Sequence, residues 1–433
     1  MPGEGEITLT WYRALKVHAA SPKEGLWAST LIVLIGNTVA RGLGFLFPLM
    51  VARLVDRADF ALVYLVINGG FLVAELILAG MPTALARFLA ARDDDVPSGT
   101  WLTGALLAGV PLLAASMVLA VVVAIATDAP PILMVLIVLG LTVDAYYFSV
   151  LRGSGRFVTL AAYRISANVV QLVLLLAAVA LDVATVPVIV AIYAFVYLMP
   201  IVVIELRVRL LRGMPGLVRL PAPAQLRSLV AFGASALVSG VAYGFLVGLD
   251  VVMVRLLAPA ALADYGAARV LAMPMSLVPF AIGIVLLPRT AAAKGADRFL
   301  LLRNATLVAV AITAAGTLAY MVLSGPLVSL VYPGAYAASA GPLPWLAFAL
   351  GLLGIYTVLS QWWMGIGRPG VPAFCLVVGA SGALVAHLVL DVPLGALGAA
   401  LSMLFGVTTA LVQIAGAAAV HWWRSAGRAE IVT

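Results

Sequence analysis

A nearly unbroken succession of apolar runs, each long enough to cross a lipid bilayer, constrains the fold more than any other feature of the chain. An α-helix rises 1.5 Å per residue, so about 20 apolar residues span a hydrocarbon core about 30 Å thick. Apolar residues make up 64% of the 433-residue chain. The sequence therefore predicts an all-α polytopic membrane protein with twelve transmembrane helices. The runs fall near residues 28–53, 60–82, 100–126, 131–152, 160–181, 185–206, 228–255, 263–288, 302–324, 340–366, 370–390 and 394–423.

The distribution of basic residues predicts the orientation in the membrane. Of the 25 Lys and Arg residues, 20 fall in segments that face the cytoplasm if the N-terminus lies inside. Cytoplasmic loops carry such an excess, so we expect a multi-pass protein of the bacterial plasma membrane with both termini in the cytoplasm. Because the basic residues are concentrated in these segments, the membrane topology explains the net charge of +7, and no nucleic-acid partner is needed to explain it. Residues 1–27 show no cleavable signal peptide, and the first span is expected to act as the targeting signal.

An internal repeat divides the chain in two. The motif LRGSGRF ends the fourth run and WMGIGRP ends the tenth, so Gly155 and Gly367 correspond. Because six spans precede the second copy, both copies start from the cytoplasm, and the two six-helix lobes form a parallel repeat. Parallel repeats are a transporter architecture. The predicted divisions are a cytoplasmic N-terminal segment (1–27), a first lobe (28–206), a cytoplasmic linker (207–227), a second lobe (228–423) and a cytoplasmic tail (424–433).

Few residues could support enzyme chemistry. No Walker A sequence occurs, and the three histidines are scattered without metal-ligand spacing. The lone Cys375 cannot form an internal disulfide. The acidic run 93–95 could hold a metal in a membrane glycosyltransferase, but a solvated cytoplasmic loop is the expected reading. The sequence predicts a transporter without cofactor or metal.

Polar groups inside the spans are the candidate functional residues, because each is costly in a bilayer unless it is paired or faces water. Arg41 lies about 18 Å from the outer end of its span, near the midplane, with Asn37 on the same helix face. Glu75 on the second span could reach Arg41, and Asp250 could pair with Arg269 in the second lobe. Either these groups are structural ion pairs or they open to a wet cavity.

The remaining intramembrane polar groups allow several roles. Asp144 could be a cation site, a protonated core residue or the partner of a donor. Asn168 and Gln171 are expected to form helix-to-helix hydrogen bonds. The candidate substrate-binding residues are Arg41, Arg269, Asn37 and Asn68; the candidates for cation coupling or ion pairing are Glu75, Asp144 and Asp250.

Several stretches together resemble the oligosaccharide flippases of the multidrug/oligosaccharidyl-lipid/polysaccharide superfamily. They are ARGLGFLFPLMVARLVDRADF, GMPTALARFLA, LRGSGRF, LDVVMVRLL and YGAARVLAMPMSLVPFAIGIVLLPR. The resemblance covers nearly the whole chain and includes the O-antigen repeat-unit flippases of the polysaccharide biosynthesis family. It implies a flippase for lipid-linked oligosaccharide, with a polysaccharide polymerase and glycosyltransferases as partners.

The chain also resembles the lipid II flippase branch. Arg41 within RGLGF and Arg269 within AARVLAMP match basic cavity residues of that branch. Phe47 stands where the branch has a further arginine, and Glu75 is the only charged residue on a span where the branch has basic ones. These departures favour another polyprenyl-linked glycan over lipid II.

Three functions follow as hypotheses. The first is a flippase that carries a polyprenyl-linked glycan, whose diphosphate would be held by arginines, since guanidinium stays charged and binds phosphate in a bidentate manner. The second is an efflux transporter for cationic drugs, which would favour carboxylates and aromatic residues in the cavity. The third is a membrane glycosyltransferase or ligase that uses a lipid-linked donor.

Overall fold

The computed structural model describes residues 24–430 apart from 79, 92–95, 209–210, 212–213, 294–295 and 333. The acidic run 93–95 lies outside the described residues, and so does the side chain of Asn37. The described part of the chain is helical, with short 3₁₀ turns at Pro259–Ala261 and Gly334–Ala340. The helices are α1 (Glu24–Leu54), α2 (Arg57–Leu78), α3 (Gly80–Ala91), α4 (Ser98–Ala126), α5 (Pro131–Gly153), α6 (Phe157–Ala180), α7 (Val186–Phe195), α8 (Leu198–Val208), α9 (Pro223–Leu257), α10 (Leu262–Ala272), α11 (Pro274–Ala292), α12 (Ala296–Val331), α13 (Leu343–Gly365), α14 (Gly370–Leu394) and α15 (Ala396–Glu430).

The helices are long and apolar enough to build a membrane domain. By length and composition, ten helical segments in the described residues can cross a bilayer, and the bent pair α10–α11 raises the number to eleven. The all-helical membrane fold is confirmed, whereas the count of twelve spans stays a prediction.

The eighth predicted span is bent in the middle. In the eighth, α10 ends at Ala272 and α11 begins at Pro274 with a bend of 46°. Proline lacks the N–H that would continue the helix ladder and clashes with the preceding turn.

The repeated glycine motifs end their helices in the same way. Gly155 has φ 69° and Gly367 has φ 79°, in the left-handed region where a glycine carries no Cβ penalty. The amide of the following residue, Arg156 or Arg368, donates to the carbonyl five residues earlier at 2.9 Å in both cases. The correspondence read from LRGSGRF and WMGIGRP therefore extends to backbone conformation.

The two halves of the molecule, α1–α8 and α9–α15, meet along a few helices. Helix α9 packs against α2 and α3, while α10 and α11 pack against α1 and α2. Within the halves, α1 packs along α6, and α15 packs along α14. The helices at the junction therefore enclose the space between the halves. We call the helix ends predicted to face the cytoplasm the inner ends, and the opposite ends the outer ends.

Candidate functional site

A cavity of about 530 Å³ lies between the two halves. Helices from both halves contribute to its wall, including α1, α2 and α6 from the first and α9, α10 and α11 from the second. No Asp or Glu is among the described residues that line it, so its lining is positively charged. The charged and amide side chains in the lining are Arg41, Arg164, Arg269, Asn68 and Asn168, and its tyrosines are Tyr64, Tyr193, Tyr197 and Tyr243.

Arg41 is the cavity arginine without a carboxylate partner. Its guanidinium lies over the ring of Phe280 on α11, 4.5 Å from the ring centroid. The side chain is exposed, and within the described part of the chain it forms no ion pair, so the expected contact with Glu75 is not formed. The contact with Phe280 joins the halves across the cavity. An aromatic ring attracts a cation but does not neutralise it.

Glu75 lies elsewhere. It is half-buried where α2 meets α9, and a Cβ added to Gly244 of α9 would stand 3.0 Å from the Glu75 Cβ. It is absent from the cavity lining. Its assignment to cation coupling stays a prediction.

Arg269 forms the ion pair with Asp250 that the sequence suggested. Arg269 Nη1 lies 3.2 Å from Asp250 Oδ1, and the two side chains are 3% and 1% exposed. Arg269 also donates to the carbonyl of Val247. Asp250 further accepts hydrogen bonds from the Tyr265 hydroxyl and from the amide of Val251, the latter at 2.8 Å. Since Arg269 lies one turn before the break at Pro274, the bent span presents a fixed guanidinium to the cavity.

A similar ion pair in the first half involves an arginine that the sequence interpretation missed. Arg164 Nη2 lies 2.9 Å from Asp144 Oδ2, and Tyr163 donates to Asp144 Oδ1 at 2.7 Å. The Arg164 guanidinium also lies over the rings of Phe148 and Tyr197, at 4.6 and 5.4 Å. Three roles were considered for Asp144, and in the structure it acts as the partner of hydrogen-bond donors.

Arg164 is one of the 20 basic residues that the predicted topology assigns to the cytoplasmic side, because it lies only four residues inside the predicted start of its span. One signal in the sequence could have identified it. Arg164 and Asn168 are four residues apart and hence on one helix face, and Asn168 was already predicted to be intramembrane. Both line the cavity.

The amide side chains differ in what they contact. Asn168 Nδ2 donates to the carbonyl of Ala40 at 3.0 Å, which confirms the expected helix-to-helix hydrogen bond and shows that its partner helix is α1. Gln171 is buried, and its Nε2 has no hydrogen-bond partner among the described residues, so no such bond forms through that atom. Asn68 lines the cavity and donates to the carbonyl of Tyr64 on its own helix, at 2.8 Å.

At the outer ends, polar contacts of two arginines join the halves. Arg57 forms an ion pair with Asp264, which also accepts a hydrogen bond from Ser339 at 3.5 Å. Arg255 Nε donates to the carbonyl of Thr127 at 2.7 Å. We call these the outer contacts. The sequence places the two arginines in outer loops but gives no indication of their partners.

At the inner ends, α3 and α9 come into close contact. A Cβ on Gly80 would stand 2.2 Å from the carbonyl oxygen of Gly233, so only glycine fits at that position. The guanidinium of Arg87 lies 4.1 Å from the ring centroid of Phe232. The cavity therefore lies between the outer contacts and this inner helix crossing.

Phe47 occupies the position at which the lipid II flippase branch has a further arginine, and it is buried in the cavity wall. It is 1% exposed, and its ring centroid lies 5.8 Å from that of Tyr193. An apolar side chain thus occupies this position, and the third cavity arginine comes instead from α6.

Residues 26–294 match the family described as polysaccharide biosynthesis protein. No curated protein sequence matches the chain significantly.

Solved structures show the same fold at low sequence identity. The lipid II flippase MurJ in an inward closed conformation aligns with a TM-score of 0.71 at 12% identity, over 90% of this chain and 87% of MurJ. An inward-facing multidrug resistance transporter of the MATE family aligns with a TM-score of 0.63 at 16% identity, over 86% and 91% of the two chains. A MOP superfamily transporter from Pyrococcus furiosus aligns with a TM-score of 0.60 at 16% identity, over 92% and 96%.

Proposed function

The chain belongs to the polysaccharide biosynthesis protein family, and from this premise we propose that it is a flippase for a polyprenyl-(di)phosphate-linked oligosaccharide. It moves the glycan head from the cytoplasmic to the outer leaflet by alternating access, for cell-surface polysaccharide biosynthesis. It works in the bacterial plasma membrane with both termini in the cytoplasm. A polysaccharide polymerase and glycosyltransferases act beside it.

The observation that carries the proposal is the uncompensated Arg41 in a cavity with two further arginines and no acidic lining residue among those described. A cation in a low-dielectric cavity is costly, and a bound anion offsets that cost. A diphosphate has the charge and the acceptor oxygens that guanidinium binds best. The site therefore favours an anionic head group over a cationic drug.

Arg164 and Arg269 bind the same head group from opposite halves. Each is held by one carboxylate, Asp144 at 2.9 Å and Asp250 at 3.2 Å, which fixes its orientation. When the diphosphate enters, it accepts hydrogen bonds from the same two guanidinium groups that contact Asp144 and Asp250. Arg41 supplies the positive charge that no carboxylate neutralises. Asn37 and Asn68 contact the glycan, since amide side chains donate to and accept from sugar hydroxyls.

Alternating access requires the halves to separate at one end while they close at the other. We assign the moving units as the lobes 28–206 and 228–423, joined by the linker 207–227. The outer contacts Arg57–Asp264 and Arg255–Thr127 break when the cavity opens outward. Glu75, Asp144 and Asp250 are the candidates for cation coupling or ion pairing, and we assign the coupling to Glu75. Glu75 is the first candidate, because among the described residues it alone of the three forms no ion pair.

The test is the leaflet distribution of the lipid-linked glycan. Depletion of the protein is expected to leave the glycan on the cytoplasmic side, out of reach of a glycan-binding probe added outside. Arg41→Ala and Arg269→Ala, at normal membrane levels, are expected not to restore outer-leaflet glycan, whereas Arg53→Ala at the outer end of α1 is the matched control. Full restoration by the first two variants contradicts the anion site.

Two other results contradict the transport assignment. If the purified protein transfers glycan from a lipid-linked donor to an acceptor, it is an enzyme. If deletion alters susceptibility to cationic drugs and leaves the glycan distribution unchanged, it is an efflux transporter.

A further inference from the structure

A second concavity lies on the far side of α13 from the central cavity. It is a groove of about 1330 Å³ formed by α12, α13 and α15, and it is lined mainly by apolar side chains. Helix α13 separates the two spaces, because Leu350 and Leu353 line the cavity while Leu352 and Ile355 line the groove. Val310 in the groove wall is 44% exposed. The groove therefore opens away from the space between the halves, towards the surrounding bilayer.

The length of the groove matches one leaflet. Its wall along α12 runs from Asp297 at the inner end to Ala314. From Arg303 to Ala314 the helix rises about 16 Å, close to half of a hydrocarbon core about 30 Å thick. An acyl chain of the cytoplasmic leaflet fits this depth.

The inner mouth of the groove carries positive charge at head-group depth. Arg298 and Arg303 line it together with one acidic residue, Asp297. Arg298 is anchored through Nε, which donates to the carbonyl of Ala293 at 2.8 Å, and Arg303 is exposed. Trp422 at the same end is 56% exposed, as expected of a tryptophan at a membrane interface.

We infer that this groove binds one anionic glycerophospholipid of the cytoplasmic leaflet. Its phosphate contacts Arg298 and Arg303, and its acyl chain lies against the apolar faces of α12, α13 and α15. The tail of a substrate held in the central cavity would leave between the halves, and α13 stands between that path and the groove. This inference rests on the proposed orientation of the chain but not on the proposed substrate.

Native mass spectrometry of the purified full-length chain tests the site. Phosphatidylglycerol is expected to bind at lower concentration than phosphatidylcholine of the same chain length. Arg298→Gln/Arg303→Gln is expected to weaken phosphatidylglycerol binding about tenfold or more and to remove the preference, because two charge-assisted contacts are lost. Arg219→Gln/Arg227→Gln, at exposed positions outside the groove, has the same net charge and is expected to bind as the wild type does.

A second test of the lipid site blocks the apolar part of the groove. Ala415→Trp fills the groove at an exposed lining position and is expected to abolish the bound lipid. Ala177→Trp on the exposed face of α6 is the matched control. Unchanged lipid binding in the double arginine variant overturns the inference. Displacement of phosphatidylglycerol by polyprenyl phosphate also overturns the inference, because the groove would then be a substrate site. A loss of dimers in Ala415→Trp overturns it as well, because the groove would then be a contact between copies of the chain.

Discussion

The Arg269 guanidinium lies 3.2 Å from the Asp250 carboxylate, and neither side chain is more than 3% exposed. Such a pair adds little stability by itself, because both charges lose hydration when they are buried. Removing one partner is expensive, because the other charge stays buried without compensation. In the proposed anion site the carboxylate would have a second effect, since it would orient the guanidinium before the substrate arrives.

Asp250→Asn is expected to lower the free energy of unfolding by about 3–5 kcal/mol, because it leaves the Arg269 charge buried and unpaired. Reversible unfolding of the purified protein in micelles measures the change. Asp250→Leu/Arg269→Met removes both charges and is expected to regain most of the stability but no transport. Wild-type stability of Asp250→Asn would show that Arg269 finds compensation elsewhere.

Arg164→Gln/Asp144→Asn tests whether Arg164 binds substrate or only holds α6 to α5. The pair of amides keeps similar volumes and leaves no unpaired charge, so near-wild-type thermal stability is expected. Transport is expected to fall about tenfold or more, because a hydrogen bond to a charged group contributes about 1.5–3 kcal/mol. The measurement is outer-leaflet glycan at matched protein levels, with Arg152→Gln, an exposed residue of α5 outside the cavity, as control. Wild-type transport by the double variant assigns Arg164 a structural role.

Most of the fold could be predicted because membrane insertion is a local property of the sequence. Each apolar run must form its own helix to satisfy its backbone in lipid, so the runs predict the helices one by one. Apolar length did not predict the bend of 46° between α10 and α11. Met273 and Pro274 lie inside an apolar run, and apolar length alone does not show where a helix bends.

The candidate site could be predicted only in part. Asp250 and Arg269 belong to adjacent spans, so similar depth was enough to pair them. Arg41 lines the cavity between the halves, but its neighbour Phe280 comes from the other half, and contacts between distant segments depend on tertiary packing. Arg164 was missed because its depth depends on the uncertain start of its span.

The LRGSGRF motif allows two glycines to be distinguished by substitution. A Cβ on Gly153 would lie 2.7 Å from Leu89 Cβ and 2.8 Å from the carbonyl of Ala86 on α3, whereas Gly155 has open space but φ 69°. Gly153→Ala is expected to cost about 1–3 kcal/mol by overpacking, and Gly155→Ala about 1–2 kcal/mol by backbone strain. Asn tolerates the left-handed region, so Gly155→Asn is expected to be milder than Gly155→Ala, while Gly153→Asn is worse than Gly153→Ala. Thermal denaturation of the four variants gives the order, and the same order at both positions contradicts this explanation.

The ion pair between Arg57 and Asp264 is expected to bias the protein against outward opening, because it joins the halves at the outer ends. A Val63→Cys reporter in a Cys375→Ser background lies in the cavity wall, six residues or about 9 Å below Arg57 on α2. Arg57→Asp is expected to speed labelling by a membrane-impermeant thiol reagent added outside, by about fivefold, since a partly exposed pair contributes up to about 1 kcal/mol. Restoring the pair in reverse, with Arg57→Asp/Asp264→Arg, is expected to slow labelling again. Arg53→Asp changes the charge at the same end without touching the pair; if it labels as fast as Arg57→Asp, general repulsion and not the ion pair controls opening.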